Sequence, residues 1–170
     1  MTFSEWLIRE NKIKIEDFSE LRFPRFWKFR TNANAIAVKG KYVYFRNLGG
    51  LSEQKKEQML VHELLHIETQ RKVGWFKYLV KYAFNRKFRI KDEVKAYTRS
   101  MEYLFMTGND INPLPRLISE DLNANYRIND KQAKKAFHAL LFAREDIIEG
   151  NITTVRDLKE RYNSITRRSK

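Results

Sequence analysis

The stretch EQKKEQMLVHELLHIETQRK, residues 53–72, decides how this sequence can fold. Its apolar residues from Met59 to Ile67 recur at intervals of three and four, which is the spacing of one face of an α-helix. Ser52 suits the N-cap position before this stretch, and Gly74 suits the position just past its end. The sequence therefore predicts one long helix from Glu53 to Lys72.

An H-E-x-x-H motif lies inside this predicted helix, as His62, Glu63 and His66. Four residues advance a helix by slightly more than one turn, so both imidazoles project from one face and can reach the same zinc ion. Glu63 lies beside His62 and can serve as a general base without binding the metal. Because the chain has no cysteine, only histidine and carboxylate side chains could complete such a site.

A catalytic zinc site usually takes three protein ligands, so the motif needs a third partner. The candidates are His138 and the carboxylates, with Glu102 and Glu120 as alternatives to the best of them, Glu93. A charged connector precedes Glu93 and is long enough to turn a following helix back against the first. Asp92 suits the N-cap of that helix, which would place Glu93 in its first turn, where the helix dipole favours a negative charge.

The segments His62-Glu63-Leu64-Leu65-His66 and Glu93-Val94-Lys95-Ala96-Tyr97 together resemble the gluzincin metallopeptidases. In that family a glutamate on a following helix completes the H-E-x-x-H motif, often in an E-x-x-A-D setting. The resemblance covers roughly residues 34–104 and is greatest to the small minigluzincins and to compact bacterial and phage H-E-x-x-H proteins. It implies a zincin-like fold, one Zn²⁺ per chain held by His62, His66 and Glu93, and Glu63 as the general base.

One position departs from the gluzincin pattern. Tyr97 stands where the family usually has an aspartate, whose carboxylate would orient a zinc-bound imidazole. Glu68 or Thr69 could take over that role. Tyr97 itself is a candidate donor to the oxyanion of the reaction, together with two residues that we select as catalytic candidates, Tyr126 and His138.

A β-hairpin is predicted just before the motif helix. Two β-prone runs, Ala35–Val38 and Lys41–Phe45, flank a short polar turn at Lys39 and Gly40. In gluzincins an edge strand beside the zinc pairs with an extended substrate. The resemblance assigns this part to a set of four consecutive residues, namely Asn34, Ala35, Ile36 and Ala37.

The remainder of the chain is predicted to be mostly helical. Further helices are expected over Glu5–Glu10, Ile15–Leu21, Trp75–Phe84, Asp92–Leu104, Asp130–Glu149 and Thr154–Ile165, with a strand at Phe26–Arg30 and a loop at Asn109–Pro115. The aromatic residues of the Trp75–Phe84 helix are expected to be core.

The predicted class is α+β and mostly helical, with a small antiparallel sheet followed by the motif helix and a ligand helix. We expect a single domain, with a helical lead-in (1–25), a catalytic core (26–108) and a C-terminal helical segment (109–170).

Composition leaves two functional interpretations. The predicted activity is that of a zinc-dependent endopeptidase, which hydrolyses an extended peptide or protein through a metal-activated water. The 34 Lys and Arg residues outnumber the 21 Asp and Glu residues, and the net charge of +13 attracts polyanions. The alternative is therefore a nucleic-acid-associated protein, either a DNA-recruited protease or a basic binding module.

We expect a cytoplasmic protein, because no apolar run is long enough to span a bilayer and residues 1–10 lack the features of a secretory signal.

Overall fold

The structure is a computed structural model that describes residues 1–18, 34–126 and 128–168. It confirms the mostly helical α+β class. Its elements, in chain order, are α1 (Phe3–Glu10), β1 (Lys14–Asp17), β2 (Ala35–Val38), β3 (Tyr42–Phe45), a 3-10 turn (Leu48–Gly50), α2 (Glu53–Val73), α3 (Trp75–Phe84), α4 (Arg86–Met106), α5 (Leu114–Tyr126), α6 (Asp130–Ile148) and α7 (Thr154–Arg168). The strand expected at Phe26–Arg30 lies outside the described residues.

The sheet is mixed, with the strand order β1-β3-β2. The β2–β3 hairpin is antiparallel as predicted, but β1 pairs in parallel with β3. The helix predicted at Ile15–Leu21 is therefore wrong over Ile15–Asp17, and residues 19–21 lie outside the described ranges. Ile13, directly before β1, is buried in an apolar cluster, and Ile15 within the strand packs against the same cluster.

The hairpin is fixed to α2 through its turn. Lys39 and Gly40 both have positive φ, and the Lys41 N–H donates to the Val38 carbonyl at 3.2 Å, as in a type I′ turn. The buried Gln70 of α2 accepts from the Gly40 N–H at 2.7 Å and donates to the Ala37 carbonyl at 3.0 Å. One side chain of the motif helix thereby sets the position of β2.

Helix α2 begins at the predicted residue, Glu53, and ends at Val73, one residue after the predicted end. The Ser52 hydroxyl accepts from the Lys55 N–H, and Gly74 leaves the helix with φ +83°. Helix α3 matches its predicted bounds. Helix α4 does not, because it begins at Arg86 and the cap is Asn85, whose side chain accepts from the Phe88 N–H at 3.0 Å.

The first turn of α4 is the segment that was predicted to be a connector. Asp92 is consequently not an N-cap, and Glu93 lies about two turns into the helix instead of in its first turn. The prediction that Glu93 lies in the first turn of its helix, where the helix dipole would favour its charge, is therefore wrong. Its position is set by packing, since α4 lies along α2 and both Asp92 and Glu93 are buried.

The C-terminal helices pack around the second half of α4. Helix α5 was not predicted, and it begins at Leu114, inside the expected loop. The α7 N-terminus is held by the buried carboxylate of Glu102, which accepts from the Val155 and Arg156 N–H groups at 2.8 and 2.9 Å. This contact gives Glu102, one of the alternative ligands, a structural role as a helix cap.

Two apolar clusters form most of the core. One joins α1, α2, the sheet and α7, and the other joins α4, α5 and α6. Helix α4 contributes Tyr103 to the first and Met101 to the second. Over the described ranges, no helix is both long and apolar enough to cross a membrane.

Candidate metal centre

The three predicted metal ligands converge where α2 meets α4. His62 Nε2 lies 3.6 Å from Glu93 Oε2, and His66 Nε2 lies 3.7 Å from Glu93 Oε1. Ligand atoms placed about 2.0–2.1 Å from a tetrahedral zinc ion are roughly 3.3 Å apart. The separations on either side of Glu93 are therefore close to those that one shared ion would require.

Each imidazole has a hydrogen-bonding partner on its second nitrogen. His66 Nδ1 lies 2.8 Å from Asp92 Oδ2, and His62 Nδ1 lies 3.3 Å from the Ser100 hydroxyl. Both rings consequently direct Nε2 towards Glu93. Metal-binding histidines are usually oriented in this way, by a partner that fixes the other nitrogen.

The partner of His66 was not identified from the sequence. Asp92 was predicted to be a helix cap, and Glu68 or Thr69 was expected to support the histidines. Glu68 is instead exposed and forms an ion pair with Arg99 at 2.6 Å. Asp92 also accepts from the Tyr78 hydroxyl at 2.7 Å, so its carboxylate is held from two sides.

Glu63 presents a buried carboxylate oxygen at the site. Its side chain is 6% exposed, and Oε2 has no hydrogen-bonding partner in the described part of the chain. A carboxylate oxygen of Glu63 lies within 4.8 Å of a ring nitrogen of both His62 and His66. Because an unpaired buried carboxylate oxygen is costly, its position beside two imidazoles fits a site that can bind a cation.

Glu63 and Glu93 are therefore both close enough to be considered as the third metal ligand. Glu93 fits better, because its two oxygens face the Nε2 atoms of the two histidines. The Nδ1 atoms already have Ser100 and Asp92 as partners, so Nε2 is the nitrogen that each ring can offer to a metal. Glu63 follows His62 directly on α2, and neighbouring residues project about 100° apart around a helix. This offset suits a carboxylate that acts beside the metal.

The charges at the centre favour a cation. Burial alone would raise the pKa of Glu93, but the imidazoles of His66 and His62 lower it well below its ordinary value. Burial alone would lower the pKa of His66, yet the charge of Glu93 and the hydrogen bond to Asp92 raise it to about 10. The carboxylates thus stabilise a positive charge between the imidazoles, which either protons or a metal ion can supply.

Helix α3 supplies two tyrosines to the centre. The buried hydroxyl of Tyr82 donates to Glu93 Oε1, while Tyr78 donates to Asp92 as described above. Both tyrosines were expected to be core, and both are buried. Their spacing of four residues was a usable signal, because two buried hydroxyl groups on one helical face need partners.

A cavity of about 240 Å³ opens in front of the centre. Its lining includes both motif histidines, Glu63, Glu93, Tyr97, Ser100, Asp121, Asn125, Tyr126, Lys55, Gln58, Met59, Asn34 and Ala35. Tyr126 approaches to 3.4 Å from the Tyr82 hydroxyl. Tyr97 packs edge-on against the His62 ring, with 4.7 Å between ring centroids, and donates to Asp121 at 3.0 Å.

The predicted substrate strand borders this cavity. Asn34 and Ala35 form part of the lining, and β2 is the outer strand of the sheet within the described residues. Ile36 and Ala37 continue the strand with buried side chains. The first residue of β2, Ala35, therefore lines the same cavity as the candidate metal ligands.

His138 lies elsewhere. It is exposed on α6, where its ring contacts Phe137, and it is not among the residues that line the cavity. Of the two selected catalytic candidates, the structure brings only Tyr126 to the centre.

The structure thus shows a histidine and glutamate group that is close enough to bind a metal ion. The same residues carry the resemblance to gluzincins, which stays a prediction. No protein-family model, curated protein or solved structure matches the chain.

Proposed function

We propose that this chain is a zinc-dependent endopeptidase. The observation that carries the proposal is the convergence of Glu93 with His62 and His66, together with a buried Glu63 beside both histidines whose Oε2 lacks a partner among the described residues. The donor set consists of two nitrogens and one carboxylate, without sulfur, which is typical of catalytic and not of structural zinc. When bound, Zn²⁺ would act as a Lewis acid and would lower the pKa of a water towards about 7.

Four residues would carry the protein side of the reaction. Glu63 is placed to take a proton from an attacking water and to return it to the departing amine. Asp92 and Ser100 hold the two imidazoles in orientation. Tyr126, at the cavity wall, is our candidate for donating a hydrogen bond to the developing oxyanion.

An extended peptide is the substrate class that we propose. Ala35, at the start of the outer strand β2, lines the cavity together with Asn34, and the edge of such a strand binds a peptide by adding a strand to the sheet. This mode of binding recognises backbone N–H and C=O groups, so it suits unfolded protein segments.

The test compares the wild type with Glu63→Gln and Glu93→Gln, two substitutions that keep side-chain size and remove one negative charge each. Bound zinc is measured by elemental analysis, and cleavage is followed on an unfolded protein substrate. We expect Glu63→Gln to retain zinc and to lose activity by roughly 10²–10⁴-fold, the contribution of a general base. We expect Glu93→Gln to weaken zinc binding itself.

Two results would contradict the proposal. The first is a wild-type protein that takes up no zinc when one equivalent is supplied. The second is Glu63→Gln with undiminished, zinc-dependent cleavage.

A further inference from the structure

Helix α3 presents a row of large apolar side chains to solvent. Phe76 is 75% exposed, Phe84 is 86% exposed and Val80, between them, is 42% exposed. The residues follow each other at intervals of four, so they form one stripe about 12 Å long on the helix surface. The prediction that the aromatic residues of this helix are core is therefore wrong for both phenylalanines.

This exposure does not come from a badly packed helix. On a helix that turns 100° per residue, the stripe is centred about 180° from the pair Tyr78 and Tyr82. Those tyrosines are buried and hydrogen-bonded to Asp92 and Glu93. Helix α3 is thus anchored firmly by one face while its opposite face shows apolar surface to water, and such surface usually marks an interaction site.

The stretch of chain that contains the stripe carries charge of one sign. Residues 69–91 contain eight Lys and Arg and no Asp or Glu. The exposed basic residues closest in sequence to the stripe are Arg71, Lys72, Lys77, Arg86 and Lys87. A basic surface of this kind attracts anions and repels a second copy of itself.

We propose that this face of α3 binds the surface of an anionic lipid membrane, with Phe76, Val80 and Phe84 inserted at the headgroup level. An amphipathic helix with aromatic and aliphatic residues beside lysines lies in the plane of such an interface. The lysines then contact anionic headgroups. A nucleic acid duplex would satisfy the charges but would leave the apolar stripe in water, so the row of apolar residues favours the membrane.

Membrane binding is a property separate from the proposed peptidase activity, so it can be tested without a cleavage assay. The full chain is sedimented with vesicles of phosphatidylcholine alone and with vesicles of phosphatidylcholine and phosphatidylserine in equal parts. We expect binding to the anionic vesicles that weakens as salt is added, and little binding to the neutral ones. Absence of binding to the anionic vesicles would overturn the proposal.

The apolar contribution is tested with Phe76→Ser/Val80→Ser/Phe84→Ser, which should weaken binding by more than about tenfold. Phe142→Ser is the control for an exposed phenylalanine elsewhere and is matched to Phe84→Ser, because Phe142 is 69% exposed but lies on α6. If the triple variant does not fold, Phe84→Ser alone serves, with a smaller loss expected. Equal losses in the α3 and α6 variants, or none in either, would refute the proposal.

The charge contribution is tested with Lys77→Gln/Lys87→Gln against Lys95→Gln/Lys134→Gln, four exposed lysines that give the same change in net charge. At about fivefold per lysine near the surface, the first pair should weaken vesicle binding by roughly 25-fold and the second pair far less. A single-stranded oligonucleotide is included as a competitor. If it displaces the protein from vesicles and its own binding depends on the α3 phenylalanines, the face belongs to nucleic acid and the proposal fails.

Discussion

Replacing Asp92 by asparagine should weaken zinc binding without removing any metal ligand. The Asp92 carboxylate lies 2.8 Å from His66 Nδ1 and accepts from the Tyr78 hydroxyl at 2.7 Å. Asparagine has the same size and keeps an oxygen acceptor, so the change removes charge and leaves the packing in place. What is lost is the preference for the His66 orientation that directs Nε2 towards Glu93.

The size of the effect follows from the hydrogen bond that changes. A hydrogen bond to a charged group contributes roughly 1.5–3 kcal/mol and a neutral one roughly 0.5–1.5 kcal/mol, so the substitution should cost about 1–1.5 kcal/mol. That difference corresponds to about a tenfold increase in the Kd for zinc. Asp92→Ala removes both hydrogen bonds. Its loss of zinc affinity should approach hundredfold, the upper end of the range for residues that support metal ligands.

The assay is a competition titration against a chromophoric zinc chelator at neutral pH. Glu68→Gln is the matched control, because it also removes one carboxylate charge but acts on an exposed residue paired with Arg99. We expect Glu68→Gln to change the Kd by less than about twofold, as is usual for surface ion pairs. Equal Kd values for the wild type and Asp92→Asn, or an equal loss in Glu68→Gln, would refute the role assigned to Asp92.

Two further predictions concern buried groups on α3 and α4. Tyr82→Phe keeps the ring but removes the donor to Glu93 Oε1, so zinc affinity should fall by roughly tenfold; an unchanged Kd would contradict this role. Burial raises the pKa of Glu102 despite its hydrogen bonds to the α7 amides, so the folded state holds this proton more tightly than the unfolded state. The wild type should therefore gain free energy of unfolding relative to Glu102→Gln as the pH falls from 7 towards 4.5, measured by urea denaturation; a gain in the opposite direction would contradict the burial argument.

Local signals account for the parts of the fold that the sequence predicted. The α2 bounds follow from the Ser52 cap, the apolar periodicity and Gly74, all of which lie within or next to the helix. The β2–β3 hairpin follows from two β-prone runs around Lys39 and Gly40. In each case the information lies within a few residues of the element, so tertiary contacts were not needed to find it.

The errors arose where distant packing decides between local alternatives. Asn85 and Asp92 are both good helix caps, and the basic segment between them resembles a connector when its partners are unknown. Packing against α2 and α3 favours the earlier start. Strand β1 similarly depends on its parallel partner β3, which lies more than twenty residues away along the chain.

The earlier start of α4 also explains the departure at Tyr97. Asp92 contacts Nδ1 of His66 and Glu93 faces Nε2 of the same ring, so two consecutive residues of one helix hold both nitrogens of one imidazole. A carboxylate placed four residues after Glu93, as in the gluzincin pattern, is then unnecessary for this ring. Tyr97 is free of that requirement, and it packs edge-on against the other imidazole, that of His62. A carboxylate that supports His66 is therefore present in this chain as Asp92, which directly precedes Glu93, whereas the gluzincin pattern places it four residues after the corresponding glutamate.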